Sequence, residues 1–248
     1  MTTEEKPTIL LIHGSWHTPL HYRHLIDALR ARGHPVLAPV LPTTGHDDSI
    51  DGKTFLDAAS QVRGLLVPYL DQDRKVVIVA HSFGGIVTAH IVAGLSLEER
   101  SAQGLKGGVT SIVYIAAQLS PENLRFKPGN APPFFEWIDQ NKHSLPADFA
   151  RSILYNDVEE PWLDEALRLL VWQSLASCDP DNTYSASEIR VPKTYIVCTN
   201  DKIVELESQH KLAEIAGATV VELESGHSPF LVKKAIEPLV DIITKGSQ

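Results

Sequence analysis

The sequence predicts an α/β fold, a mostly parallel sheet flanked by helices, and three observations carry that expectation. Short apolar runs rich in Val and Ile recur along the chain, and segments with apolar residues at helical intervals lie between them. The clearest run, Lys75-Val76-Val77-Ile78-Val79-Ala80, is apolar at every position after Lys75. A strand apolar on both faces needs cover on both, which a parallel sheet between helix layers supplies.

Thr8 to Ile12 is the first such run, and it ends at His13-Gly14-Ser15, which reads as a loop. Leu20 to Arg32 has helical spacing and stops at Gly33, a frequent helix terminator. Val36 to Val40 supplies a second strand, and Pro42 to Lys53, with Gly45, Asp47, Asp48 and Gly52, reads as a loop. Phe55 to Leu70 reads as a helix that Pro68 must bend or end and that Gly64 weakens. After the run at 75–80 a helix from about Phe83 to Leu95 follows directly. Ser111 to Ala116, Thr194 to Cys198 and Thr219 to Leu223 complete the strands.

Pro121 to Ile189 breaks the rhythm. It has no strand pattern, many prolines, and the rings of Phe126, Phe134, Phe135, Trp137, Phe149, Tyr155, Trp162, Trp172 and Tyr184. A structureless stretch of that length is uncommon in a compact domain, so a helical cap over the sheet's carboxyl edge is expected. The chain then divides into a core of residues 1–120 and 190–248 and a cap or lid of residues 121–189.

A chain of 248 residues is long enough for one large core. Its 43% hydrophobic and 21% charged residues are those of a packed domain, not a disordered one. A formal charge of −9 argues against nucleic acid and anionic membrane surfaces as partners. The first apolar run is too short for a signal-peptide core or a membrane span, so a cytoplasmic location is expected. Cys178 and Cys198 lack metal-like spacing and are expected to stay reduced. The histidines at 13, 17, 21 and 24 fall at near-helical spacing without a carboxylate to complete a metal set, so structural roles are expected for them.

Ala80-His81-Ser82-Phe83-Gly84-Gly85 lies between the clearest strand and a helix, the context of a nucleophile elbow. Small residues at Ala80 and Gly84 flank Ser82 two positions away, as a tight turn requires. Read alone, the same residues also fit a helix N-cap followed by a packing glycine pair. With His13-Gly14-Ser15-Trp16 after the first strand and a late Gly226-His227, the chain resembles the α/β-hydrolase superfamily along nearly its whole length. Asn200-Asp201-Lys202 and Gly226-His227-Ser228-Pro229-Phe230 are similar to the branch of methylesterases, hydroxynitrile lyases and related microbial esterases.

That resemblance implies a serine hydrolase in which Ser82, Asp201 and His227 act in the order nucleophile, acid, base. Ser82 cannot attack unaided; His227 takes its proton and Asp201 fixes the ring. Asp201 also fits an ordinary turn with Asn200, and the other strand end that could supply an acid offers no carboxylate before Glu122. His81 is expected to pack instead of acting as the base. By the same resemblance the backbone N–H groups of Ser15 and Phe83 form the oxyanion hole, and neither metal nor organic cofactor is implied.

Cap aromatics would wall an apolar pocket, with Phe134, Phe135, Trp137 and Trp162 as substrate-binding candidates for a small or medium hydrophobic ester or lactone. Two rival functions remain open on sequence: carbon–carbon bond cleavage on the same fold, and a small-molecule receptor with little turnover. Against a hydroxynitrile lyase stand Gly14, where the similar lyases carry Thr, and Ser228, where they carry Lys.

Overall fold

The computed structural model describes residues 6–119, 134–178 and 186–245. Along them the chain runs β1 (Thr8–Ile12), α1 (Arg23–Ala31), β2 (Val36–Leu37), β3 (Thr44–Gly45), α2 (Phe55–Leu70), β4 (Lys75–His81), α3 (Gly84–Val92), α4 (Leu97–Ser101), β5 (Gly108–Ile115), β6 (Glu136–Trp137), β7 (Lys142–Ser144), α5 (Ala147–Phe149), α6 (Trp162–Arg168), β8 (Trp172–Ser174), β9 (Lys193–Cys198), α7 (Leu206–Ala216), β10 (Thr219–Leu223) and α8 (Lys233–Lys245).

Six strands form the expected parallel sheet, in the order β10-β9-β5-β4-β1-β2. Alternate residues of its central strands point to opposite faces, and each set meets its own helix layer. Ile78 and Ala80 pack with Val62 and Leu66 of α2 and Ile86 and Val87 of α3. Val77 and Val79 pack with Leu25 and Leu29 of α1 and Leu239 and Val240 of α8. Truncating a buried residue such as Ile78 to Ala costs about 2–5 kcal/mol at sites of this kind.

Two expectations are corrected. β2 stops at Leu37, well short of Val40, because Pro39 follows closely and cannot donate to a ladder. The cap is not purely helical either: beside α5 and α6 it contributes β6, β7 and β8, which join β3 in an antiparallel sheet of order β3-β8-β7-β6. β3 lies inside the expected loop at Pro42 to Lys53, so that loop gives the cap sheet its edge. The same loop anchors the cap through charge. Lys142 on β7, buried, places its ammonium 2.7 Å from Asp48, 2.8 Å from Asp51 and 2.9 Å from Asp139.

Candidate active site

The parallel sheet brings the candidate residues to one edge. Ser15 follows β1, Ser82 follows β4, Asp201 follows β9 and His227 follows β10, all at the carboxyl ends where open α/β sheets bind ligands. Ser82 has φ 51°, left-handed backbone that a non-glycine residue adopts only under constraint. Its amide donates to Ile115 O (3.1 Å) and its carbonyl accepts from Gln118 N (3.0 Å), so the turn is clamped to the end of β5. A Cβ on Gly84 would lie 2.5 Å from Ile12 O, and one on Gly85 2.4 Å from Gln118 O, so α3 approaches the sheet this closely only with glycine at both positions.

Asp201 and His227 form a buried pair. The ring Nδ1–H of His227 donates to Asp201 Oδ2 at 2.7 Å, and Oδ1 accepts from the amides of Ile203 (2.7 Å) and Val204 (3.0 Å). Both carboxylate oxygens are thereby committed, which fixes the imidazole's tautomer and leaves Nε2 without the proton. The loop carrying His227 is held from the cap side, where Asp157 accepts from Gly226 N (2.6 Å) and Ser225 Oγ (2.8 Å). Asp157 gave no sequence signal, since a lone Asp in a polar stretch is unremarkable by composition.

His81 is more than a packing residue. Gly14 N–H donates to Tyr22 Oη (3.0 Å), Tyr22 O–H donates to His81 Nδ1 (2.7 Å), and His81 Nε2–H donates to the His227 carbonyl (2.9 Å). The two ends of this chain are fixed, because an amide only donates and a carbonyl only accepts. Burial pushes the His81 pKa well below the ordinary value and keeps the ring neutral, which makes Nδ1 the acceptor of the Tyr22 O–H. Gly14 is confined too: a Cβ there would lie 2.8 Å from His81 Nδ1 and 3.0 Å from Ser82 Cβ.

The other early histidines are structural. His13 donates from Nδ1 to Gly14 O (2.9 Å) and accepts from Leu41 N (3.0 Å). His17 donates to Ser15 O (2.6 Å) and accepts from Tyr155 Oη (3.1 Å), while His21 accepts from Thr18 N (3.1 Å) and donates to Ala166 O (3.2 Å). Three of the four thus brace the loop after β1. No group of His, Cys, Asp and Glu able to hold a metal is found among the described residues.

A cavity of about 80 Å³ borders Ser15, Ser82 and Phe83, with Phe134 and Phe135 from the cap. Trp16, Gln118, His143, Cys178 and Ile203 also line it, none of them named as a substrate-binding candidate from the sequence. Trp137 and Trp162 do not line it. Trp137 sits 6.5 Å from the His143 ring on the two-residue β6, and Trp162 stacks on His24 at 3.6 Å beside an outer cleft with Lys233 and Lys234. Glu122, the rival acid, lies outside the described residues.

A parallel sheet with a strained serine after β4 and a carboxylate–imidazole pair behind β9 and β10 defines an α/β hydrolase. The model of the alpha/beta hydrolase family matches residues 9–240, and the chain belongs to that family. Its relatives are hydrolase- and esterase-like. It is 26% identical over 233 residues to the alpha/beta hydrolase nvfD of Aspergillus novofumigatus, covering 91% of each chain. It is 27% identical over 253 residues to methylesterase 1 of Arabidopsis thaliana, covering 93% of this chain and 92% of that one. Among solved structures, polyneuridine aldehyde esterase superposes with a TM-score of 0.78 over 98% of this chain and all of that one at 21% identity, a likeness of fold. No helix among the described residues is long and apolar enough to cross a membrane.

Proposed function

We propose that the chain is a serine esterase that cleaves small hydrophobic esters or lactones through an acyl-enzyme. The observation that carries this is the 2.7 Å bond from His227 Nδ1 to Asp201 at the sheet edge where Ser82 is presented. With Nδ1–H committed, Nε2 is the basic nitrogen. Ser82 Oγ attacks the ester carbonyl carbon while its proton passes to His227 Nε2. The tetrahedral oxyanion is met by the amides of Ser15 and Phe83, the latter at the N-terminus of α3, where the helix dipole favours negative charge. Collapse expels the alcohol, which takes the proton from His227. A water molecule activated by the same nitrogen then attacks the acyl-enzyme and frees Ser82. Loss of one oxyanion donor costs about 3 kcal/mol in comparable sites.

The cavity supports an apolar acyl group, since Phe83, Phe134, Phe135 and Trp16 are among its walls. Fluorophosphonate labelling with peptide mapping, run beside an ester panel, tests the assignment. Label on Ser82 that is lost in Ser82→Ala, together with multiple turnover of esters, is the expected result. Turnover that survives in Ser82→Ala removes Ser82 from the mechanism.

A further inference from the structure

His143 lies on β7 in the cap, 1% exposed, and lines the cavity at Ser82. Trp16 Nε1–H points to its Nδ1 at 3.3 Å. An indole nitrogen only donates, so Nδ1 is the acceptor and the neutral ring carries its proton on Nε2. That Nε2–H has no hydrogen-bond partner among the described residues. Gln173, opposite His143 in the strand pair, spends its amide on Ser177 Oγ at 2.6 Å and leaves its own Oε1 unbonded. The two buried polar atoms do not close on each other.

A buried donor without a partner is costly, and few are kept in a folded protein without a reason. This one is also held in place. Phe135 stacks on the imidazole at 4.3 Å with 10° between planes, and Trp16 is fixed in left-handed backbone at φ 59°, one residue after Ser15. The ring is therefore held by the loop that carries an oxyanion-hole candidate.

The geometry points to His143 as a specificity-determining residue whose Nε2–H binds an uncharged oxygen acceptor carried by the substrate apart from the ester being cleaved. The substrate class is an apolar ester bearing a ketone, ether or second ester oxygen; this rests on the esterase reading above. A carboxylate is disfavoured because, among the described residues, no Lys or Arg borders the cavity to meet a desolvated charge. Burial also depresses the His143 pKa to about 4, so the ring offers a hydrogen bond without a charge at neutral pH.

The test uses ethyl pentanoate against ethyl 4-oxopentanoate and ethyl 3-methoxypropanoate, both of which place an oxygen acceptor near the fourth acyl position. Binding is measured by calorimetry on Ser82→Ala, which cleaves nothing, with and without His143→Phe; kcat/KM is measured on Ser82-containing protein. The oxygenated esters should bind and react about tenfold better than the alkyl ester. His143→Phe should abolish that ratio, and His143→Gln, which keeps a donor, should restore part of it. His143→Met replaces the Phe variant if melting shows that variant unfolded. A ratio near one in the parent, or one unchanged in His143→Phe, overturns the assignment. Discrimination in binding without turnover of any ester keeps His143 and removes the esterase reading; turnover without discrimination does the reverse.

Discussion

His81 Nε2–H donates to the backbone carbonyl of His227 at 2.9 Å, so the residue preceding the candidate nucleophile holds the candidate base. The rings lie 4.8 Å apart. Tyr22 sets the direction of this bond by donating to His81 Nδ1. Tyr22→Phe removes that donor and strands both the Gly14 amide and His81 Nδ1, at a cost of about 1–3 kcal/mol in stability. If the bridge also places His227, kcat should fall about tenfold or more with KM little changed. Lower melting with kcat intact would limit the network to stability.

The acid and base assignments separate by ranking variants. Asp201→Asn should lower kcat by about 10⁴-fold, because an amide facing Nδ1 favours the wrong tautomer. His227→Ala should lose activity at every pH. Steady-state kinetics on both variants, with His81→Ala beside them, decide the matter: an inactive His81→Ala with an active His227→Ala would move the base to His81.

Much of the core was legible in the sequence because strands buried on both faces are apolar along nearly all their length, and β1 and β4 are where those runs lie. The strand-end positions of Ser82, Asp201 and His227 were legible for a related reason, each following a strand by a few residues. The cap strands were not. β7 reads Lys-His-Ser and β8 Trp-Gln-Ser, too short and too polar for any period, and they are ordered by pairing across the chain and by the Lys142 ion pairs. The bonding of His81 was equally hidden, since Tyr22 and His227 are 59 and 146 residues away in sequence. Rings in the cap were expected to turn toward the cavity, and composition alone cannot tell Phe135, which does, from Trp162, which stacks on His24.

Buried neutral histidines make stability depend on acid. Burial holds His13, His21 and His143 down at about 4 and pushes His17 and His81 well below the ordinary value. In the unfolded chain each takes a proton near the ordinary 6.5. Between those values the unfolded state binds more protons, so stability is full above about pH 6.5 and is lost as pH falls below it. Each group contributes up to about 1.4 kcal/mol per pH unit, and the set on the order of 7. Urea unfolding at pH 7.5, 6.5, 6.0 and 5.5 should show this steepening, flattened by about one proton in a folded His143→Phe variant. Stability that stays level down to pH 5 would mean these rings are protonated or exposed.

Substrate size follows from the cavity walls. Its volume of about 80 Å³ is smaller than the roughly 150 Å³ that holds benzene in an engineered protein core, so acyl groups should be short unless the cap shifts. Each methylene buried against Phe83, Phe134 or Phe135 should add about 0.8 kcal/mol, or about fourfold in kcat/KM, until the space is filled. Across ethyl esters from acetate to dodecanoate, kcat/KM should climb to an optimum near four to six carbons and then fall. Phe135→Ala should displace the optimum toward longer chains, because it removes one wall. A hydrogen succinate ester should react poorly at neutral pH, as no cation among the described residues borders the cavity to meet its carboxylate. A flat series, a climb continuing to dodecanoate, or a preference for the charged acyl group would each exclude a small apolar pocket over Ser82.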